Sequence, residues 1–548
     1  MTRANFIRSL YSEGAIEKEQ LSAIISFMTE ERKNEMQAII RFGLLDNMNV
    51  AKAVAKRYSL KFISLREMNI DISDYDKLTS ERLYELGAIP FGISDDGSSL
   101  KVAIADPTDL SVTEVLAAIT LKKVNIFMAL RSDINYAIDR AFSKEGSFED
   151  ELEDKSSDID VVVLVRNLLS KAVRQNASDI HIEGTQEHIR VRYRIDGVLR
   201  EHCTYKSEWL TAIVSRIKIL AGIDIAEKRM AQDGKASLDI DSNEYDFRVS
   251  TIPTVFGEKV VIRIAPKRMV FTSKQQLGLL EEDVEKLDRI FMKNHGMVLV
   301  TGPTGCGKTT TLYSVLSELN TIEKNTITVE DPIEITISGI NQVQVSATGG
   351  MTFSNALRAI LRQDPDIIMI GEIRDKETAK VAIQSSVTGH LVLSTLHTNS
   401  AASTINRLVN MGVERYLISD ALVAVIAQRL VRKLCPYCKK EDVITTEQAD
   451  LLKVKADTTI YKKCGCDRCG NSGYLGRTSI FEILEITQQM REQIATPQFD
   501  TAKLQKTAEE RGMSTLQDGA RKLFLNGITS YDEMINIYTD REIYDDDN

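Results

Sequence analysis

One octapeptide, Gly302-Pro303-Thr304-Gly305-Cys306-Gly307-Lys308-Thr309, fits the pattern G-x-x-x-x-G-K-[ST] in full. The apolar run Met297 to Val300 enters it, and the helical spacing of TTLYSVLSEL, from Thr310 onward, leaves it. Strand, glycine-rich loop and helix in this order constrain the chain to an α/β architecture with a mostly parallel sheet. Each residue type has a physical reason. Gly302, Gly305 and Gly307 let the backbone curl so that its N–H groups point inward. The helix start adds favourable partial charge for an anion. Lys308 offers a point charge to the β- and γ-phosphates of a nucleotide, and Thr309 offers a hydroxyl to Mg²⁺. Gly302 through Thr310 form the candidate ATP cradle.

Three further stretches carry what phosphoryl transfer needs. Thr326 to Glu334 reads as a strand ending in carboxylates, Glu330, Asp331 and Glu334, broken by Pro332. Carboxylates past a strand end can orient a metal-bound water, although acidic turns are also common. Asp366 to Asp375 contains the buried strand Ile367 to Ile370, with Gly371 and Glu372 at its C-terminal end. That is where ligands bind in open α/β sheets, so Glu372 is a candidate for Mg²⁺ or the attacking water. In Thr388 to Asn399, His390 and His397 bracket an apolar strand at an odd spacing, so they face opposite sides. His397, past the strand end, is the candidate γ-phosphate sensor; a packed core histidine is the alternative for either.

Four of seven cysteines form two C-x-x-C pairs, Cys435/Cys438 and Cys466/Cys469. Each pair can give zinc two soft donors from one turn, so a structural Zn²⁺ site is expected, with free thiols as the alternative. The stretch between the pairs is long for a zinc ribbon, so a loop must return. Cys464 is a possible competing ligand, while Cys203 and Cys306 stand apart.

A length of 548 residues suggests several domains. The region 1–143 is mixed, with helical spacing at Val50, Val54 and Tyr58 and extended runs Ala88 to Ile93 and Leu100 to Ala105. Residues 144–158 are polar and acidic, which reads as a linker or a charged helix face. Residues 159–268 form a second α+β region, with a helix from Val161 to Gln175 and strands His188 to Arg194, Tyr245 to Ser250 and Lys259 to Ile264. The α/β region runs over 275–548, and the cysteine-bearing part spans about 430–485. The net charge of −10 argues against nucleic acid as the main partner. The sequence has neither a membrane-length apolar run nor a signal-peptide pattern, so a cytoplasmic location is expected, with any membrane attachment through a partner.

The four nucleotide-site motifs, in this order, resemble the GspE/PilB-type secretion ATPases of type II secretion and type IV pilus assembly. In that family they are called Walker A, Asp box, Walker B and His box. Ala177 to Gly184 (ASDIHIEG), Arg192 to Gly197 (RYRIDG), Gln232 to Lys235 (QDGK) and Gly473 to Arg477 (GYLGR) extend the resemblance over about 159–540. Ala231 stands where relatives often have proline.

The resemblance implies a RecA-like ATPase domain with a zinc-binding insertion, preceded by α+β N-terminal domains. It implies that Glu372 is the Walker B carboxylate and that Glu334, ahead of Glu330, activates water. Arg248, Arg263, Arg358 and Arg362 would neutralise the γ-phosphate. Without the family, Arg358 and Arg362, four apart, read equally as an ordinary cationic helix face. The resemblance further implies a homohexamer that clamps ATP between its second and third domains. Residues 1–143 would meet a docking protein, and the ring would act on an inner-membrane platform protein. Retraction motors usually lack the zinc cysteines and the long N-terminal region. A nonhydrolysing nucleotide-gated scaffold would need a damaged site, and a nucleic-acid translocase fits neither the charge nor the Asp-box and His-box pattern. Some relatives bind cyclic di-GMP through R-L-G repeats. Here Arg41-Phe42-Gly43 is out of register and the repeat near Arg8 lacks glycine, so no such site is expected.

Overall fold

The computed structural model describes residues 5–545, apart from 17–20, 22–23, 26, 29–33, 43, 66–67, 69, 71–77, 95–96, 110, 144–160, 241–242, 268–273, 275–276, 280 and 346–349. The acidic stretch 144–158 therefore lies outside the described residues, as do Gly43 and the side chain of Arg41. The chain falls into two compact units: 1–174 with 180–192 and 201–262, and 175–179 with 193–200 and 263–548.

The second unit is built on a seven-stranded sheet. Its order is Asn341–Gln344, Thr326–Glu330, Ile367–Ile370, Leu391–Leu396, Gly296–Thr301, Leu422–Leu434, Tyr474–Glu485. Neighbours pair in parallel except the last two, which form a long antiparallel hairpin. Gly296–Thr301, Thr326–Glu330, Ile367–Ile370 and Leu391–Leu396 are buried at every position. Strands buried along their whole length suit a sheet covered on both faces. One apolar cluster joins Val298, Val300, Leu393 and Ile426 to Leu312, Val315 and Leu316 of the helix Lys308–Leu319. The other joins Leu299, Ile368, Ile370 and Val392 to Ala379, Ala382 and Ile383 of the helix Lys376–Val387. The latter helix starts where the Asp375 carboxylate accepts from the Thr378 N–H at 2.8 Å. The strand order reverses beside Gly296–Thr301, which opens a crevice at the strand ends.

In the N-terminal region, Ala88–Ile93 pairs antiparallel with Ser99–Ile104, which pairs in parallel with Lys123–Met128. A separate six-stranded sheet follows the helix Val161–Arg174. Its strands His188–Ile195, Asn243–Thr254 and Gly257–Pro266 match the runs anticipated from sequence, while Ala177–Gly184, Val198–Lys206 and Gln232–Ile240 complete it.

Glu183, on Ala177–Gly184, is buried against Arg190 at 3.1 Å, Arg192 at 2.8 Å and Lys259 at 2.8 Å. Burial alone would raise its pKa, but the bonds from Lys259 and Arg192 outweigh that and lower it from 4.5 to about 2. A depressed carboxylate adds stability above its unfolded pKa and loses it as pH falls through its folded pKa. Glu183→Gln is therefore expected to lower the Tm of the full chain at pH 7. The gap from wild type should narrow between pH 4.5 and about 2, as calorimetry can follow. A gap that does not change with pH would rule the ion cluster out as the cause.

Candidate nucleotide site and four-cysteine centre

The loop after Gly296–Thr301 needs its glycines for two reasons. A Cβ on Gly302 would lie 2.5 Å from the Gln428 carbonyl and 2.7 Å from Cys306 Sγ. Gly307, at φ 91°, turns the chain into the helix Lys308–Leu319 through the left-handed region that disfavours other residues. Lys308 is folded back and buried, donating to the carbonyls of Gly302 at 2.8 Å and Pro303 at 3.0 Å. Its ammonium is held below the ordinary range, chiefly by burial, against the attraction of Cys306 and Glu372. Burial raises the pKa of the Cys306 thiol. Thr304, Gly305 and Thr309 face solvent, and Thr310 is half-buried.

Glu372 follows the end of Ile367–Ile370. The turn is pinned on both sides: the Gly371 N–H donates to Val329 O at 2.8 Å, and Thr395 Oγ1 donates to Gly371 O at 2.7 Å. The Glu372 carboxylate lies 2.5 Å from the Arg374 guanidinium and 3.6 Å from His397 Nε2. Burial and the nearby Lys308 lower the His397 pKa, with Glu372 opposing. The imidazole is neutral at pH 7, so its approach to Glu372 is a contact and not an ion pair. Lys308, Glu372 and His397 thus share one electrostatic site at the strand ends.

His390 sits at the other end of its strand, its Nδ1 2.9 Å from the Ser385 carbonyl. The two histidines thus lie at opposite ends of the strand, in different surroundings. Two threonines that sequence reasoning missed tie the His397 loop to the nucleotide loop. Thr301 Oγ1 lies 2.6 Å from Thr398 Oγ1 and accepts from the Thr398 N–H at 2.9 Å. Gln428 and Arg429 were also missed. Gln428 accepts from Thr311 Oγ1 at 2.8 Å, and Arg429 donates to the Asn399 carbonyl at 3.0 Å. Their only sequence signal is two polar residues inside the apolar run from Leu422 to Val431.

The two candidate carboxylates of the Asp-box stretch have different surroundings. Glu330 is buried and bonded to Tyr313, Thr328 and Gln342, whereas Glu334 is exposed. The arginines are spread out. Arg358 pairs with Glu377 at 2.9 Å. Arg362 lies beyond the helix Phe353–Ile360 and donates to the Arg358 carbonyl at 2.8 Å. The two therefore do not share one helix face: Asp364, at φ 50° before Pro365, stops the chain from continuing as helix. Arg263 lies on Gly257–Pro266 with its Nε 3.1 Å from Asp179. Arg248 lies on Asn243–Thr254, in the other compact unit.

The hairpin Leu422–Leu434/Tyr474–Glu485 explains how widely spaced cysteines meet. Its last pair, Leu434 and Tyr474, brings Cys435 and Cys469 to one tip. The sulfurs of Cys435, Cys438, Cys466 and Cys469 all lie within 4.8 Å of one another. Three pairs are 3.8 to 3.9 Å apart, against about 3.8 Å for sulfurs around tetrahedral zinc. Burial and the neighbouring thiols raise the Cys438 pKa to about 12. Burial would also raise Cys469, but bonds from the backbone N–H groups of Cys466 and Gly473 to its sulfur outweigh that and lower it to about 7. The donor set fits Zn²⁺. Cys464 is exposed and outside the group.

Among the described residues, no helix is long and apolar enough to cross a membrane. The Type II/IV secretion system protein family model matches residues 154–536, and the MshEN domain model matches 58–148. Type II secretion system protein E of Dickeya dadantii is 46% identical over 409 residues, 74% of this chain and 82% of that protein. The type IV pilus assembly ATPase PilB of Myxococcus xanthus is 38% identical over 536 residues, 92% of this chain and 94% of that one. The structure of the Legionella pneumophila ATPase DotB matches with a TM-score of 0.54 at 21% identity, covering 71% of this chain and 98% of that one. It shares the fold.

Proposed function

Because the chain belongs to the type II/IV secretion-system family of GspE/PilB-type ATPases, we propose that it is the ATP-hydrolysing motor that assembles a secretion pseudopilus or a type IV pilus. The observation that carries this reading is the approach of His397 to Glu372, 3.6 Å, at the strand ends, beside a glycine-rich loop whose buried Lys308 acts electrostatically on both. When Mg²⁺ is bound, it neutralises phosphate charge and orients water. Lys308 exchanges two loop carbonyls for phosphate oxygens, held by loop N–H groups and the helix start. Glu372, here paired with Arg374, and the Thr309 hydroxyl would hold the metal. Glu334 takes the proton of the attacking water, and neutral His397 senses the γ-phosphate. Arg248, Arg263, Arg358 and Arg362 supply positive charge as the bond breaks, from this chain or its neighbour in a homohexamer.

ATP binding closes the arginine-bearing second domain on the ATPase domain, and product release opens it. The ring acts from the cytoplasm on an inner-membrane platform protein, with residues 1–143 meeting a docking partner. The four-cysteine centre and a PilB relative spanning most of the chain favour assembly over retraction. Affinity capture of Glu372→Gln with ATP from its native cells tests this. Secretion-type components beside a membrane platform protein would assign type II secretion, and pilus-type components a pilus motor. Recovery of neither would sink the motor role.

A further inference from the structure

Tyr313 lies on the helix that leaves the nucleotide loop and is buried to 1% exposure. Its hydroxyl donates to the Glu330 carboxylate. Glu330, itself 3% exposed, also accepts from Thr328 Oγ1 at 2.7 Å and Gln342 Nε2 at 3.1 Å. Among the described residues it forms no ion pair. Gln342 closes the ring of contacts, donating to Ile335 O at 3.1 Å and accepting from Ile337 N at 2.7 Å. Neutral donors alone thus hold a buried carboxylate, an arrangement that costs desolvation and gives little net stability. Its geometric result is that the nucleotide-loop helix is bonded to the strand Thr326–Glu330 through Glu330, and Glu330 through Gln342 to Ile335, the neighbour of Glu334.

We propose that Tyr313 is a positioning residue that, with Glu330 and Gln342, holds the 331–335 turn so that Glu334 meets the attacking water. Bound phosphates grip one end of the Tyr313 helix, so the bond gives the turn a fixed place relative to the nucleotide. This rests on the ATPase reading above. It makes Glu330 a structural carboxylate and leaves the base role to Glu334.

The test is a double-mutant cycle on the full chain, with steady-state ATP hydrolysis and binding of a fluorescent ATP analogue as readouts. Tyr313→Phe keeps the ring and removes the hydroxyl. It is expected to lower kcat by about ten- to a hundredfold, with KM for ATP changed less than about threefold. In a Glu334→Gln background the same change should cost less than about threefold, since the group it positions is already disabled. An equal loss in both backgrounds, or an unchanged kcat, would overturn the proposal. Should Tyr313→Phe fail to fold, Gln342→Leu removes the opposing donor and is judged by the same cycle. A wild type without Mg²⁺-dependent hydrolysis would overturn the ATPase reading and this inference together. Hydrolysis by the wild type with Tyr313→Phe at full rate would overturn this inference alone.

Discussion

Lys308→Ala is expected to lose both nucleotide binding and turnover, whereas Glu372→Gln keeps binding and loses turnover. Lys308 is already buried inside the loop, bonded to two carbonyls that nucleotide phosphates can replace as partners. Charge-assisted bonds of this kind are worth about 1.5–3 kcal/mol each, so affinity should fall roughly ten- to a hundredfold or more. The rate should fall further, by about a thousandfold, because charge on the transferring phosphoryl group grows in the transition state. Glu372→Gln keeps the size of the side chain and removes its charge. Ground-state binding should stay within about threefold while kcat drops about a hundred- to a thousandfold. Calorimetric titration of ATP and measured phosphate release separate the two behaviours. Turnover by either variant within threefold of wild type would remove that residue from the chemistry.

Much of this site was legible because its signals are local. The glycines at Gly302 and Gly307 and the charge at Lys308 follow from backbone geometry within one loop. Glu372 and His397 stand out as candidates because each follows a short, fully buried strand, and strand ends in such sheets point to one edge. What stayed hidden is held by tertiary contact. The bond between Thr301 and Thr398 joins residues far apart in sequence, and threonine is too common in strands to single out. Tyr313 reads as one more apolar position of a helix, since periodicity reports the ring and not the hydroxyl's partner. Arg358 and Arg362 show the opposite error: spacing alone placed them on one helix, but the Asp364-Pro365 step made that helix shorter. In the second sheet, Val198–Lys206 and Gln232–Ile240 lack the unbroken apolar run that marks a covered strand, because most of their positions stay partly exposed.

Removing the metal from the four-cysteine centre should unfold the hairpin tip while sparing the nucleotide loop. The purified chain should carry one zinc, and Cys435→Ser or Cys466→Ser should lose it. In structural sites zinc supplies about 10 kcal/mol or more of folding free energy, and that energy is local to the loops it gathers. Here it would hold 435–473, whose two-stranded ribbon Lys440–Val443/Thr459–Lys462 is marginal alone and whose buried Ile444, Ala449, Leu452 and Ile460 pack into the larger apolar cluster without forming a core of their own. The tip is also fastened to the C-terminal helices. The Leu434 N–H donates to Ile528 O at 2.7 Å, Tyr474 Oη lies 2.7 Å from Ser530 Oγ, and Arg432 pairs with Glu533 at 2.8 Å. Disorder at the tip should therefore spread into the helix Tyr531–Asp545. The strand Gly296–Thr301 should hold, because its two flanking partners and the apolar cluster around Val298 and Val300 lie outside the tip. Hydrogen exchange after chelation is expected to show lost protection at 435–473 and 531–545, unchanged protection at 296–301, and retained ATP binding. A chelated protein with unchanged exchange at the tip would mean that packing against the C-terminal helices, and not metal, holds the cysteines together.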